Sequence, residues 1–321
     1  MSTGPTGWPT ERAGSSGRDR LGAAWHDRAV TRTGPPNAEM RRHWSEVAGP
    51  RWVRARNQHD ALLAPFHGPL LAAAGARTGE RGLDAGCGFG TTTLALAAQV
   101  GPTGSVVGAD ISSSMIAELE RRVAERDARD ATATDDVGGA PIETLLADVQ
   151  VGPLPGPFDL VVSRFGIMFF DDPSAAWANL QTATRPGGRL AFVCWQQPED
   201  NPWSRVPALA ALAVSPSDVE PPGPDDPGPS SLADPARVRS LLGAAGWQQV
   251  RLTDLRPRVT IGRDLDGAVE QVRSLTSVAG AIERVGESAV LPAVRSALEP
   301  HVGDDGAVRL AGAAWLVTAV A

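Results

Sequence analysis

Asp84-Ala85-Gly86-Cys87-Gly88-Phe89-Gly90-Thr91 is the stretch whose reading decides the fold. A short apolar run, Gly82 to Ala85, leads into it, and a helix-compatible run, Thr92 to Ala98, follows. Glycines at alternate positions between a strand and a helix mark a turn where the backbone bends sharply or admits a ligand closely, because glycine has no Cβ to obstruct either. Two cofactor classes use such a turn. The dinucleotide fingerprint G-x-G-x-x-G would take Gly86 and Gly88, then want a small Gly or Ala at position 91. This chain has Thr91 there, places its third glycine one residue early at Gly90, and carries Asp84 two residues before the first.

Outward from this turn the chain alternates βα. Strands are expected at 82–85, 105–109, 143–147, 158–163 and 189–195, with acids Asp110 and Asp148 just past the second and third. Ser112–Ser114 offer an N-cap for a helix carrying Met115, Leu119 and Val123 on one face, and the polar stretch 126–140 reads as a loop. Asp172-Pro173 opens a helix to about 184. Pro186-Gly187-Gly188 turns the chain into the fifth strand. Strands and helices alternating in this way predict an α/β fold with a doubly wound, seven-stranded Rossmann-like sheet whose last strand is antiparallel.

Residues 1–36 are rich in Gly, Ser, Thr, Pro and Arg and read as a disordered tail. Asn37 is a candidate N-cap for a first helix, Gly49-Pro50 for its break, and further helices follow to Ala76. Residues 37–78 thus form a helical lid ahead of a domain at 79–321. That domain carries an irregular, Pro-rich insertion at 196–232 with a short helix near 205–214, and a capped helix from Asp234-Pro235. A sixth strand is expected at 249–259, inserted helices at 264–284 and 287–300, and a terminal strand over 307–320.

Composition narrows the function. No apolar run approaches the roughly 20 residues needed to span a bilayer, the N-terminus has no apolar h-region, and the cysteines are only Cys87 and Cys194. A reduced, cytoplasmic enzyme is expected. The net charge of −7 argues against nucleic acid. Every basic residue is Arg and Tyr is absent, so neither Lys nor Tyr can act as base or nucleophile. His and Cys spacing forms no metal cage.

The string D-A-G-C-G-F-G resembles motif I of class I S-adenosylmethionine-dependent methyltransferases. S-R-F-G-I-M-F-F-D-D-P after strand four, R-P-G-G-R-L-A-F-V-C-W, W-S-E-V-A-G-P-R-W-V ahead of motif I and the ending A-A-W-L-V-T-A resemble the ubiquinone/menaquinone biosynthesis group of that class. The resemblance covers most of 40–321 and implies S-adenosyl-L-methionine as cofactor. It implies Gly86, Cys87, Gly88 and Gly90 as the cofactor turn, Asp84 and the Ser163 carbonyl near the methionine ammonium, and Asp110 at the ribose hydroxyls. Ile111 and Met115 would sandwich the adenine, Asp148 and the Val149 N–H would meet its edge, and Trp52, less surely Gln58, would approach the methionine end. Trp52 reads equally as a lid-packing aromatic.

Methyl transfer is an in-line displacement at a sulfonium-activated carbon, in which a protein mainly aligns and desolvates. Around the small-molecule acceptor the candidates are His43, His59 and His67 from the lid, Arg164, Phe165 and Met168 after strand four, and Trp195, Gln196 and Trp203 after strand five. His59 is the preferred base, sharing a helix face with Trp52, although a histidine in such a place is more often a surface or packing residue. Arg164 would steer an anionic substrate through a bidentate contact, or simply pair with an acid such as Asp171. Two rivals remain: a homologue using the same cofactor for cyclisation or rearrangement, and an NAD(P)-dependent oxidoreductase, which Gly90 and Thr91 disfavour.

Overall fold

The computed structural model describes residues 34–131, 138–216, 223 and 226–321. The expected tail at 1–36 lies almost wholly outside the described residues. The chain begins with α1 (Ala38–Arg42), a wide π turn (His43–Ala48), α2 (Gly49–Arg54) and α3 (Arg56–Ala74). There follow β1 (Arg81–Ala85), α4 (Thr91–Val100), β2 (Ser105–Asp110), α5 (Ser113–Asp130), β3 (Ile142–Leu146), β4 (Phe158–Arg164), α6 (Pro173–Thr182) and β5 (Thr184–Trp195). Then come α7 (Pro202–Val214), α8 (Pro235–Ala244), β6 (Gln248–Leu255), β7 (Arg258–Gly262), α9 (Leu265–Val272), α10 (Thr276–Val285), α11 (Glu287–Leu298), β8 (Val308–Ala311) and β9 (Ala314–Val320).

Seven strands form one sheet in the order β3-β2-β1-β4-β5-β9-β6. The first five pair in parallel, and β9 runs antiparallel to both β5 and β6. This is the expected α/β architecture. Leu83, Val161, Leu160 and Phe192 are fully buried from the strands, as are Leu96, Leu119 and Leu180 from the covering helices. Burying each such side chain contributes roughly 1.5–3 kcal/mol relative to leaving it in water. The chain winds outward from β1 to β3, then returns to place β4 on the other side of β1. At that reversal a crevice opens at the carboxyl ends of the strands, where ligands bind in open α/β sheets.

Several boundaries differ from expectation for visible reasons. The polar stretch after 126 continues as helix to Asp130, because Arg126 pairs with Asp127 and Asp130 along the exposed face. Gly49-Pro50 opens α2 without a break; the break falls at Ala55 instead. Pro50 has no N–H, and the turn before it widens so that Gly49 N donates to Trp44 O. The long helix expected over 264–284 divides at 273–275 into α9 and α10. The sixth strand divides into β6 and β7, and the terminal strand into β8 and β9; β7 and β8 pair as a separate two-stranded sheet. Pro257 lies at the first division and Gly312 at the second, joined by Gly312 N donating to Pro257 O at 2.9 Å. A Cβ on Gly312 would lie 2.6 Å from Val259 and 3.1 Å from Phe66, so only glycine lets the chain pass there.

Among the described residues no helix is long and apolar enough to cross a membrane, and no group of His, Cys, Asp and Glu could hold a metal ion.

Candidate active site

A cavity occupies the crevice between the carboxyl ends of β1 and β4, and the glycine turn forms one wall. Gly86, Gly88 and Gly90 all have positive φ. Gly86 N and Cys87 N both donate to Ala109 O, at 2.9 and 3.0 Å, stitching the turn to β2. A Cβ on Gly86 would lie 2.8 Å from the Gly166 Cα, backbone against backbone across the switch point. A Cβ on Gly90 would lie 2.2 Å from Leu119 Cδ1, so Gly90 serves packing and does not line the cavity. At Gly88 a Cβ would meet nothing within 4 Å, because this residue faces the open cavity.

Three carboxylates line the same cavity. Asp84 Oδ2 accepts from Thr93 Oγ1 at 2.7 Å, while its Oδ1 is buried without a partner. Burial pushes the Asp84 carboxyl up to about 6, against the Thr93 hydrogen bond. Asp110 accepts from Gly88 N at 2.9 Å and Ser112 N at 2.8 Å, and burial raises its carboxyl too, against those two bonds. Asp148 accepts from Gln150 N at 2.9 Å. Of the other residues expected at the cofactor, Ile111, Met115, Val149, Cys87 and Trp52 lie on the wall, whereas Gly90 and Ser163 do not. Burial raises the Cys87 thiol well above its usual range, which suits an inert pocket-lining side chain. Ser163 is buried behind the wall, its Oγ donating to Ala85 O at 2.6 Å.

Residues not anticipated from the sequence close the cavity over. Asn37 is buried, and its side-chain amide donates to both oxygens of Asp148 at 2.9 Å. Its backbone N donates to Asp171 Oδ2 at 2.9 Å, and Asp171 N donates to Asn37 Oδ1 at 2.8 Å. Asn37 therefore makes no side-chain cap hydrogen bond to α1; it staples the start of that helix to the loops after β3 and β4. Met40, Trp44 and Leu63 join Trp52 as the helical roof, with Phe169 and Phe170 opposite. Trp44 packs edge-on against both Trp52 and Phe169, and its carbonyl accepts from Ser112 Oγ at 2.8 Å. Both tryptophans and both phenylalanines stand inside the quoted motifs; only their convergence was not legible.

The candidates around an acceptor separate into two groups. Arg164 lines the cavity, but Phe165, Met168, Trp195 and Trp203 do not. They pack beside it: Phe165 stacks on Trp195 at 4.0 Å, and Phe66 meets both edge-on. Trp203 lies 5.1 Å from Trp195 and donates Nε1–H to Asn201, while the Met168 sulfur accepts from Trp195 N. Gln196 is held by Asp254, Arg256 and Ala314. Gln58 is exposed, away from the lining. His59 is buried and stacks on Trp52 at 4.1 Å without lining the cavity. Burial lowers it to about 4, Asp60 opposing, and its Nε2 has no partner. His43, edge-on to Trp44, and His67 are also lowered, chiefly by burial, and neither lines the cavity.

Comparisons with known proteins agree with this geometry. The family described as a methyltransferase domain matches residues 83–190. Nocamycin O-methyltransferase of Saccharothrix syringae is 30% identical over 208 residues, covering 60% of this chain and 69% of that protein. Aklanonic acid methyltransferase DauC of a Streptomyces species is 34% identical, covering 36% and 48%. The ubiquinone/menaquinone biosynthesis C-methyltransferase UbiE of Saccharophagus degradans is 34% identical, covering 39% and 47%. The chain thus spans about half the length of the last two relatives.

Proposed function

Because this chain belongs to the S-adenosylmethionine-dependent methyltransferase family, we propose that it transfers a methyl group from S-adenosylmethionine to an O, N, C or S atom of a small molecule. The observation that carries this reading is the cavity itself, with three carboxylates on its wall and an aromatic roof drawn from the lid helices. An acceptor must fit beneath Trp44, Trp52, Phe169 and Phe170, which favours a compact, largely apolar compound over a polymer.

The residues present fit the cofactor. The unpartnered Asp84 Oδ1 suits an ammonium, whose arrival would satisfy a buried acceptor that otherwise costs about 1–3 kcal/mol. Each Asp110 oxygen holds one backbone N–H, leaving lone pairs for two vicinal ribose hydroxyls. Asp148 and the Val149 N–H would take the adenine edge, with Ile111 and Met115 against its faces. When bound, S-adenosylmethionine supplies a methyl group already activated by its sulfonium. The chain's part is to align the acceptor in line with that bond and to exclude water. Trp52 presents an aromatic face suited to a cation, and His59, neutral and stacked behind it, braces that ring. A base at His59 would be weak at neutral pH, given its lowered value near 4.

The test is to incubate the protein with S-adenosylmethionine and a panel of phenolic, carboxylic, amine and quinone-precursor acceptors. Equal amounts of methylated product and S-adenosylhomocysteine are expected. A transformed acceptor without S-adenosylhomocysteine would overturn the methyl-transfer reading in favour of cyclisation or rearrangement.

A further inference from the structure

We propose that Arg164 grips the carboxylate of the cofactor's amino-acid end, and that Asp60 of α3 aims it there. This rests on the cofactor reading above and assigns to the cofactor a cation that the sequence alone pointed toward an anionic substrate.

Arg164 ends β4, beside β1 and its Asp84, and its side chain is only 9% exposed. It is the one cationic side chain among the described residues lining the cavity, against three carboxylates. A guanidinium carries five N–H donors in a rigid fork. The recorded bond spends one, from Nη2 to Asp60 Oδ1 at 2.9 Å. The remaining donors of the fork can meet a second anion, such as a ligand carboxylate entering the cavity. In S-adenosylmethionine the amino-acid ammonium and carboxylate branch from the same carbon, so the cation for one must stand near the anion for the other. Arg164 is close enough to Asp84 to oppose the upward push of burial on its carboxyl.

The aiming is built in. Asp60 Oδ2 accepts from Thr91 Oγ1 at 2.8 Å, and Thr91 Oγ1 accepts from Arg122 Nη1 at 2.9 Å. Arg122 also donates to Phe89 O at 2.7 Å. This relay joins the lid helix α3, the end of β4 and the glycine turn. Thr91, the residue that disfavours a dinucleotide fingerprint, is a working part of it.

The experiment compares two nucleosides by titration calorimetry: S-adenosylhomocysteine, and 5′-methylthioadenosine, which lacks the amino-acid end. The expected result is that Arg164→Gln weakens S-adenosylhomocysteine by about tenfold or more and leaves 5′-methylthioadenosine within about twofold. The retained nucleoside binding also reports that the variant folds. Asp60→Asn, which keeps the cation but loosens its aim, should weaken only S-adenosylhomocysteine, and by less. Equal weakening of both ligands would overturn the proposal. So would unchanged S-adenosylhomocysteine binding in Arg164→Gln, above all if the KM of a carboxylated acceptor rose instead. If the wild type bound neither nucleoside, the cofactor reading would fall and this proposal with it.

Discussion

The two sides of the cavity are made in different ways. On the side proposed for the cofactor, the glycine turn and the acids at or just past the carboxyl ends of β1, β2 and β3 are set by short-range backbone geometry. Gly86 and Cys87 bond to Ala109, and Asp110 bonds back to Gly88 and Ser112. On the side proposed for the acceptor, Asn37, Trp44, Trp52 and Leu63 meet Phe169, more than a hundred residues further on, through ring packing and through the hydrogen bonds of Asn37 to Asp148 and Asp171. A cofactor shared across a family needs a fixed cradle; an acceptor particular to one member needs a wall whose side chains can change.

Gly86→Val should break the cofactor side most severely. A β-branched side chain at positive φ, with backbone at 2.8 Å, costs about 2–4 kcal/mol. Both thermal stability and S-adenosylhomocysteine binding should collapse; preserved binding would show that the cradle tolerates a side chain. Phe165→Ala instead disturbs the aromatic cluster packed beside the cavity. It removes a buried ring from the Phe66–Trp195 cluster at about 3 kcal/mol. Cofactor affinity should stay within about twofold of the wild type, as a calorimetric titration would show. A large loss would mean that the cradle depends on that cluster.

A pH series sharpens the contrast. Asp84 is raised from 3.8 to about 6 in the folded chain, so its contribution to stability is present below about 4 and lost as pH rises through about 6. An ammonium requires its ionised form. S-adenosylhomocysteine affinity should therefore climb by up to about tenfold per pH unit below 6 and level off above, and Asp84→Asn should remove that slope. An equal slope in the variant would assign the titration to another group. The smallest effect is expected at Asn37→Ala, which removes the staple between the sides. Denaturant unfolding should show a loss of about 1–2 kcal/mol; no change would make the staple incidental.

What the sequence disclosed follows the same division. Asp84, Asp110 and Asp148 were legible because each sits close to the carboxyl end of a strand, and the βα alternation locates those ends. Asn37 was read as a cap because its residue type favours one. Its actual partner, Asp148, lies 111 residues away, beyond any local pattern. The division of the sixth strand escaped because alternate burial continues across Pro257; at Gly312 the close approach to Val259 and Phe66 accompanies the turn. Phe165, Trp195 and Trp203, expected around the acceptor, pack on one another beside the cavity, a contact that position along the chain does not reveal.

The most direct measurement is calorimetric titration of the wild type and Asp110→Ala with S-adenosylhomocysteine, beside NADH. One-to-one binding of S-adenosylhomocysteine to the wild type is expected, weakened about tenfold or more in the variant, with no binding of NADH. Binding of NADH alone, or equal affinity in the two proteins, would contradict the assignment of this cavity to a sulfonium nucleoside.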